Sequence, residues 1–591
     1  MELTDLVIPA PYVIKDGCLG YMKSEKKGEP YFVRLCNFVP FIASQLIVDD
    51  GAETKVRVEI SGFDFRGRPL QMITVPDEKF NSLDWIRNNW GYEFNLETGQ
   101  TVKDRIRYFM QSTAEHAEKK KVYAATGWKR IKGQWEFLMP GDEIHTVCLE
   151  GRCGVYGFIR DSNPNALIKT LALPYAIAPR EVMMPLVAFA FLSPLNSFLK
   201  RAQYEPKTIL MLCGKTGSKK STLAALICSF FGRFSTTELP LSFRDTANSI
   251  IRQSFALKDV LTVIDDYHPS TGKDAAQMNA GAQMIFRAYG NRVGRGRLNA
   301  NSEPMTDRYP QGNAIITAEF LPDVGESGTA RFITLELDRN DVNNAELSHY
   351  QQLAADGFLS AMMFQYTEWI KEKYLTGEKA EEKFIARLSS FCKSLRSLLS
   401  EKAKEKKLDL RDRLLDDLVS LHLGYEFFCD FLMDKQCILP EGKTGMLDEF
   451  DAVILSVAAE QQNRTEQEQP PHKFLRKLKS LIDSGAVGIA KKDISEEYPT
   501  LDPPRLIGYE DDICYYLDKT LAHRAVKRLC DDQGEGFSIS ENGLAKALLS
   551  EGISDGDAEG NTTKIVRIGK RNRRLLVISK AKIEEIINAD K

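Results

Sequence analysis

The stretch "TILMLCGKTGSKKSTLAALICSFFG", Thr208 to Gly232, decides how the chain is read. An apolar run ends at Cys213, a loop opens at Gly214, and Lys220 starts a run with helical spacing. Strand, loop and helix in that order gather backbone N–H groups and a positive helix end around one small volume, which suits a polyphosphate. Gly214, Thr216, Gly217, Ser218, Lys219, Lys220, Ser221 and Thr222 form the candidate cradle for ATP, with Lys220 reaching the β and γ phosphates and Ser221 holding Mg²⁺. Lys219 departs from the pattern, which has its second glycine there. A side chain is tolerated if this residue has a negative φ as the first residue of the helix, and that is the expectation.

A phosphate loop needs a carboxylate for its metal at the end of a neighbouring strand. "DVLTVIDDYHP" offers Asp265 for Mg²⁺ and Asp266 to polarise the attacking water; the plainer alternative is a strand that ends in an acidic turn. In "GNAIITAEF" Thr317 is placed to contact the γ phosphate or the water, with Glu319 as its rival. "SGTARFITLEL" puts Arg331 just before another strand, either as a salt-bridged surface residue or as a finger inserted into the next subunit's site. The second alternative requires an oligomer.

Around these motifs the apolar runs "TILMLC", "VLTVID", "NAIITAE" and "RFITLEL" alternate with helical segments, so the centre is an α/β domain with parallel strands buried on both faces. At 591 residues the chain has room for several cores. The expected fold class is multidomain α/β: a β-rich N-terminal domain (1–125), a connecting β segment (126–180), the P-loop ATPase domain (181–375), a helical region with a linker (380–500) and a C-terminal winged helix (505–591). "KVRVEISGFDFRGRPLQMITV" follows hairpin logic, "AEKKKVY" reads as a solvated helix end, and "EQQNRTEQEQPPHK" as an exposed loop or linker.

Composition excludes several classes. With 43% hydrophobic and 27% charged residues the chain is neither disordered nor collagen-like, and a net charge of −3 says little about partners. The 11 cysteines are scattered without C-x-x-C spacing, no signal peptide is evident, and a cytoplasmic location is expected. "EVMMPLVAFAFLSPLNSFL" is broken by Pro185, Pro194 and Asn196 and reads as a core helix, not a membrane span.

The order of "GKTGSKKST", "FRDTAN", "VIDDYH", "IITAEF" and "GTARFI", with the N-terminal "NFVPFI" and "DDG", resembles the AAA+ helicases related to minichromosome-maintenance proteins. More closely it resembles the replication-initiator helicases of mobile elements such as staphylococcal pathogenicity islands and cassette chromosomes. The resemblance implies a homohexameric ring that uses ATP to move along and unwind DNA, and a C-terminal winged helix. The departures are Lys219, a loop position where the minichromosome-maintenance-related helicases also lack glycine, and Asp266, where many AAA+ enzymes have Glu.

Two basic segments suit single- or double-stranded DNA. Arg292, Arg295 and Arg297 alternate on a glycine-punctuated stretch before "NAIITAE", fit for non-specific phosphate contacts or for a solvated loop. Lys570, Arg571, Arg573 and Arg574 crowd a turn near the C-terminus, and Lys546 lies on the helix before it. The expected function is therefore an ATP-hydrolysing DNA helicase without a membrane partner; the alternative is a nucleotide-gated DNA-binding regulator or scaffold that unwinds nothing.

Overall fold

The apolar runs of the central block form one parallel five-stranded sheet, because strands without polar alternation need cover on both faces. Its strands are Ile209–Cys213, Leu241–Ser242, Leu261–Tyr267, Asn313–Ala318 and Phe332–Glu336. Across the sheet the order is Leu241–Ser242, Leu261–Tyr267, Asn313–Ala318, Ile209–Cys213, Phe332–Glu336, all parallel. The first strand in sequence thus lies inside the sheet. The chain fills one side of it and adds Phe332–Glu336 on the other. Such a switch leaves a crevice beyond the carboxyl ends of the strands.

This computed structural model describes residues 3, 6–24, 29–161, 165–269, 273–293, 307–322, 324–493, 506–533, 537, 539–557, 559–569 and 571–588. They divide into two units: the described residues of Met1–Phe158 with Gly296–Arg308, and those of Ile159–Arg295 with Tyr309–Lys591.

The first unit is mainly β. Phe38–Asp49 and Thr54–Asp64 form a long antiparallel hairpin within a five-stranded mixed sheet. A three-stranded antiparallel sheet, Tyr12–Lys15, Cys18–Lys23 and Tyr31–Cys36, stands beside it. Helix Val102–Thr113 closes the shared core with Ile106, Phe109 and Met110. The expected helix end at Glu118–Tyr123 is instead a strand, parallel to Phe38–Asp49. Val122 and Tyr123 bury themselves in the sheet, and that outweighs the helical reading of the preceding charges.

In the second unit helix Arg180–Leu192 is buried along almost its whole length, from Val182 to Leu192. The stretch Arg180–Arg201 is long and apolar enough to cross a membrane, but 94% of its most apolar 18 residues lie inside the fold, as in a core helix. Long helices follow the sheet: Ala380–Glu405, Asp412–Asp434 and Pro440–Gln467. The expected linker "EQQNRTEQEQPPHK" is helical. Its Glu, Gln and Arg residues are good helix formers that finish Pro440–Gln467, and Pro470 opens helix Pro470–Asp483 at the position a helix tolerates.

Helix Pro470–Asp483 shares an apolar cluster with the last part of the chain, through Phe474, Leu478, Leu517, Val526, Leu548 and Ile578. That part contains helices Lys519–Asp532 and Glu541–Ser550 and the antiparallel strands Lys564–Ile568 and Arg571–Ser579. Ser540 caps the second helix, its hydroxyl accepting from the Gly543 N–H at 3.1 Å.

Candidate nucleotide site

Because all five strands are parallel, the loop after Cys213, the acidic end of Leu261–Tyr267 and the end of Asn313–Ala318 lie along one edge. The Gly214 N–H donates to the Ala318 carbonyl at 3.1 Å, and the Leu337 N–H donates to the Cys213 carbonyl at 2.8 Å, so the loop is tied to both neighbours. A Cβ on Gly214 would stand 2.2 Å from the Leu337 carbonyl oxygen; only glycine fits. The Ser218 hydroxyl is buried without a partner among the described residues.

Lys219 has φ 67° and ψ 17°, left-handed and just outside the helix, which begins at Lys220. The expected negative φ is therefore wrong. Together with Gly217 at φ 88°, Lys219 turns the loop, so a lysine occupies a backbone position that favours glycine. For an L-residue this conformation costs roughly 1–2 kcal/mol.

Asp265 is the hub. Its Oδ1 accepts from the Ser221 hydroxyl at 2.8 Å and from the Thr317 hydroxyl at 2.5 Å. Thr317 Oγ1 in turn accepts from the Asp266 N–H at 3.1 Å. The register slips between Ile264 and Tyr267, a bulge that accommodates both aspartates at the strand end. Asp266 itself has φ 68° and points outward to an ion pair with Arg244 at 3.2 Å.

Glu319 sits across the loop. It accepts from the Thr216 hydroxyl, lies 3.9 Å from the Lys220 ammonium and 3.0 Å from His268 Nδ1. The hydrogen bond from Thr216, with the charges of Lys220 and His268, outweighs burial and holds its carboxyl below the ordinary range. Arg339 Nε donates to the Thr216 carbonyl at 2.7 Å. A cleft of about 320 Å³ is lined by Thr216, Lys220, Ser221, Asp266, Thr317 and Glu319. Its donors are hydroxyl and carboxylate oxygens, with no cluster of three or more His, Cys, Asp or Glu among the described residues. Such a set fits Mg²⁺, which keeps waters and substrate oxygens as further ligands.

Arg331 lies at the other edge of the sheet. The Ile209 N–H donates to its carbonyl at 3.2 Å, placing it beside the start of the loop strand, ~13 Å of strand away from Cys213. Its guanidinium donates to Ser327 and, at 3.3 Å, to Asn291 Oδ1. Neither alternative drawn from the sequence included its neighbours, Arg413 and Arg287. A Cβ on Gly290 would lie 2.7 Å from Arg413 and 2.8 Å from Arg331, so this glycine lets two guanidinium side chains lie side by side. Burial, then the charges of Arg413 and Arg287, pushes the Arg331 guanidinium down. Arg413 comes from helix Asp412–Asp434, far away in sequence, and no local motif announces it.

The basic segments fare differently. Arg292 is not at the surface: 6% exposed, it donates to the carbonyls of Pro206, Pro310 and Gly312 at 2.7–2.8 Å. Its expected DNA contact is thereby withdrawn, since these buried carbonyls need a donor. Arg295, Arg297 and Lys570 lie outside the described residues. Lys546, Arg571, Arg573 and Arg574 are exposed; Arg573 stands 5.5 Å from the Tyr509 ring centre and Arg574 3.5 Å from Asp557.

Over its length the chain is similar in fold to SCCmec type IV Cch, an active helicase, with a TM-score of 0.58 and 12% identity across 99% of this chain and 100% of that one. JCV helicase, bound to an acetamide ligand, gives a TM-score of 0.20 at 15% identity over 44% of this chain and 71% of that one. The C-terminal region of NrS-1 gives 0.23 at 10% identity over 68% and 85%. The last two likenesses are too slight to build on. No protein-family model and no curated protein sequence matches the chain.

Proposed function

We propose that the chain is an ATP-dependent DNA helicase of the AAA+ class, a replication initiator of a mobile genetic element, working as a homohexameric ring. The observation that carries this reading is the meeting of Lys220, Ser221, Asp265 and Thr317 at the carboxyl edge of one parallel sheet. The likeness in fold to Cch, which is described as an active helicase, supports the kind of work.

In this reading ATP is the substrate. The loop N–H groups and the Lys220 ammonium take the β and γ phosphates, where preorganised donors act without reorganising. Ser221 and Asp265 would hold Mg²⁺, which supplies charge neutralisation for the phosphoryl oxygens. Thr317 fixes the rotamer of Asp265. Asp266, which lines the cleft, accepts the proton of the attacking water once it leaves Arg244. Arg331, with Arg413 and Arg287 beside it, serves the site of the next subunit, because its own loop lies at the far edge of the sheet. The two helices and basic hairpin of the C-terminal part act as a winged helix, with Lys546, Arg571, Arg573 and Arg574 against phosphates.

Lys220→Ala should remove ATP hydrolysis and unwinding together, by about a hundredfold or more. A Lys220→Ala protein that unwinds at the wild-type rate overturns the reading. Single-stranded DNA should raise steady-state phosphate release; a protein that binds DNA and ATP with no such rise is a nucleotide-gated regulator instead.

A further inference from the structure

The N-terminal unit carries a row of tyrosines that its own core does not use up. In its three-stranded sheet Tyr12 stands opposite Tyr21 and Lys23 opposite Tyr31. Strand alternation puts these four on one face. Helix Val102–Thr113 covers part of that face with Phe109, and Tyr12 is buried against it at 5.2 Å between ring centres. The residue before it on the helix, Tyr108, is 60% exposed, its ring 6.4 Å from Tyr12 and tilted by 32°. Tyr31, at 43%, is exposed at the other end, and Tyr21 lies half-buried between.

Cations accompany the rings. Arg105 holds its guanidinium 4.1 Å from the centre of the Tyr21 ring, and the Lys23 ammonium is 6.0 Å from that of Tyr31. Arg105 Nε has no hydrogen-bond partner, and neither cation pairs with a carboxylate among the described residues. A guanidinium resting on a ring keeps its charge for an incoming anion. An ordinary solvated face would be expected to pair such cations with acids, as Arg107 does with Asp104 at 2.6 Å nearby.

We propose that this row is a stacking track for single-stranded nucleic acid, with bases on Tyr108 and Tyr31 and phosphates at Arg105 and Lys23. Exposed rings take bases whose faces are free, and a duplex hides those faces in its own stack. Every base has such a face, so the track is indifferent to sequence. The proposal concerns the N-terminal unit alone and stands whether or not the ATPase reading does.

The test uses the full-length chain with Arg571→Ala, Arg573→Ala and Arg574→Ala, so that C-terminal contacts do not mask the track. Anisotropy is read on labelled oligo(dT) and oligo(U) of ~20 nucleotides and on a hairpin duplex. Adding Tyr108→Ala with Tyr31→Ala, both at exposed positions, should weaken single-strand binding about tenfold or more while duplex binding stays within about twofold. Tyr108→Phe should bind like tyrosine, and Arg105→Gln should lower the slope of log K against log salt by about one. Preference for one of the two strands identifies the nucleic acid. Unchanged single-strand affinity in the double alanine variant, equal losses on strand and duplex, or a phenylalanine variant as weak as alanine would each overturn the track.

Discussion

Asp265 receives two hydroxyls from two different elements on a single oxygen, so its orientation is set before any substrate arrives. Asp265→Asn keeps the shape and an acceptor oxygen but removes the charge. It should still bind nucleotide while turnover falls at least about a hundredfold, read by a binding titration beside a phosphate-release assay. Lys219 makes the opposite case, since its side chain asks for nothing that its backbone supplies. Lys219→Gly should stabilise the chain by about 1 kcal/mol in a denaturant titration, because glycine adopts this conformation without strain. Arg292 shows how little residue type says about place. Arg292→Met should destabilise by roughly 1–3 kcal/mol through unpaired carbonyls and leave the salt dependence of DNA binding unaltered. An arginine next to glycines reads as a solvent-facing cation, and its burial depends on carbonyls from Pro206 and Pro310 that only the tertiary fold brings near.

Strand, loop and helix around Gly214 were legible because they are contiguous, and a local pattern carries their order. The same was true of the strand Leu261–Tyr267 that carries Asp265. The bulge that accommodates both aspartates, the ion pair from Arg244 and the pairing of Glu319 with Thr216 arise between elements and leave no periodicity to read. Among the helices, Asp451 accepts from Lys402 and joins His422 at 2.6 Å, while Lys443 bridges Glu426 and Asp430, binding Ala380–Glu405, Asp412–Asp434 and Pro440–Gln467 together. Burial opposes the His422 charge, but its hydrogen bonds to Asp451 and Glu426 prevail and raise its pKa. Its contribution to stability is full below the unfolded value of ~6.5 and is lost as pH rises through the folded one. Asp417 acts in the same direction: burial raises its carboxyl to about 8, against the opposing charge of Arg413 and in company with Asp416. The folded chain then holds a proton that the unfolded chain releases above ~3.9, so stability falls toward pH 8. Asp417→Asn should flatten that fall, measured as urea midpoints between pH 5 and 9.

At the scale of the whole molecule, Lys220 and Arg331 stand at opposite edges of one sheet, and the proposed ring completes each site from two copies. Mixing Lys220→Ala chains with Arg331→Ala chains, each inactive alone, should restore about a quarter of the sites and hence measurable ATP turnover. If the mixture stays as inactive as its parts, Arg331 does not act across an interface. The sequence offered Arg331 as a finger for the next subunit, but not its place at the opposite edge from Lys220 or its neighbours Arg413 and Arg287, since residues meet across the sheet through strand topology. Mechanical coupling follows from the way Arg292 grips both Pro310 and Gly312. Arg292 follows helix Lys273–Asn291 directly and pins its end to Pro310 and Gly312, and Asn313 starts the rod whose far end holds Thr317 against Asp265. A pull on Arg292 would be carried along that rod to the Thr317 hydroxyl and on to the Asp265 carboxylate.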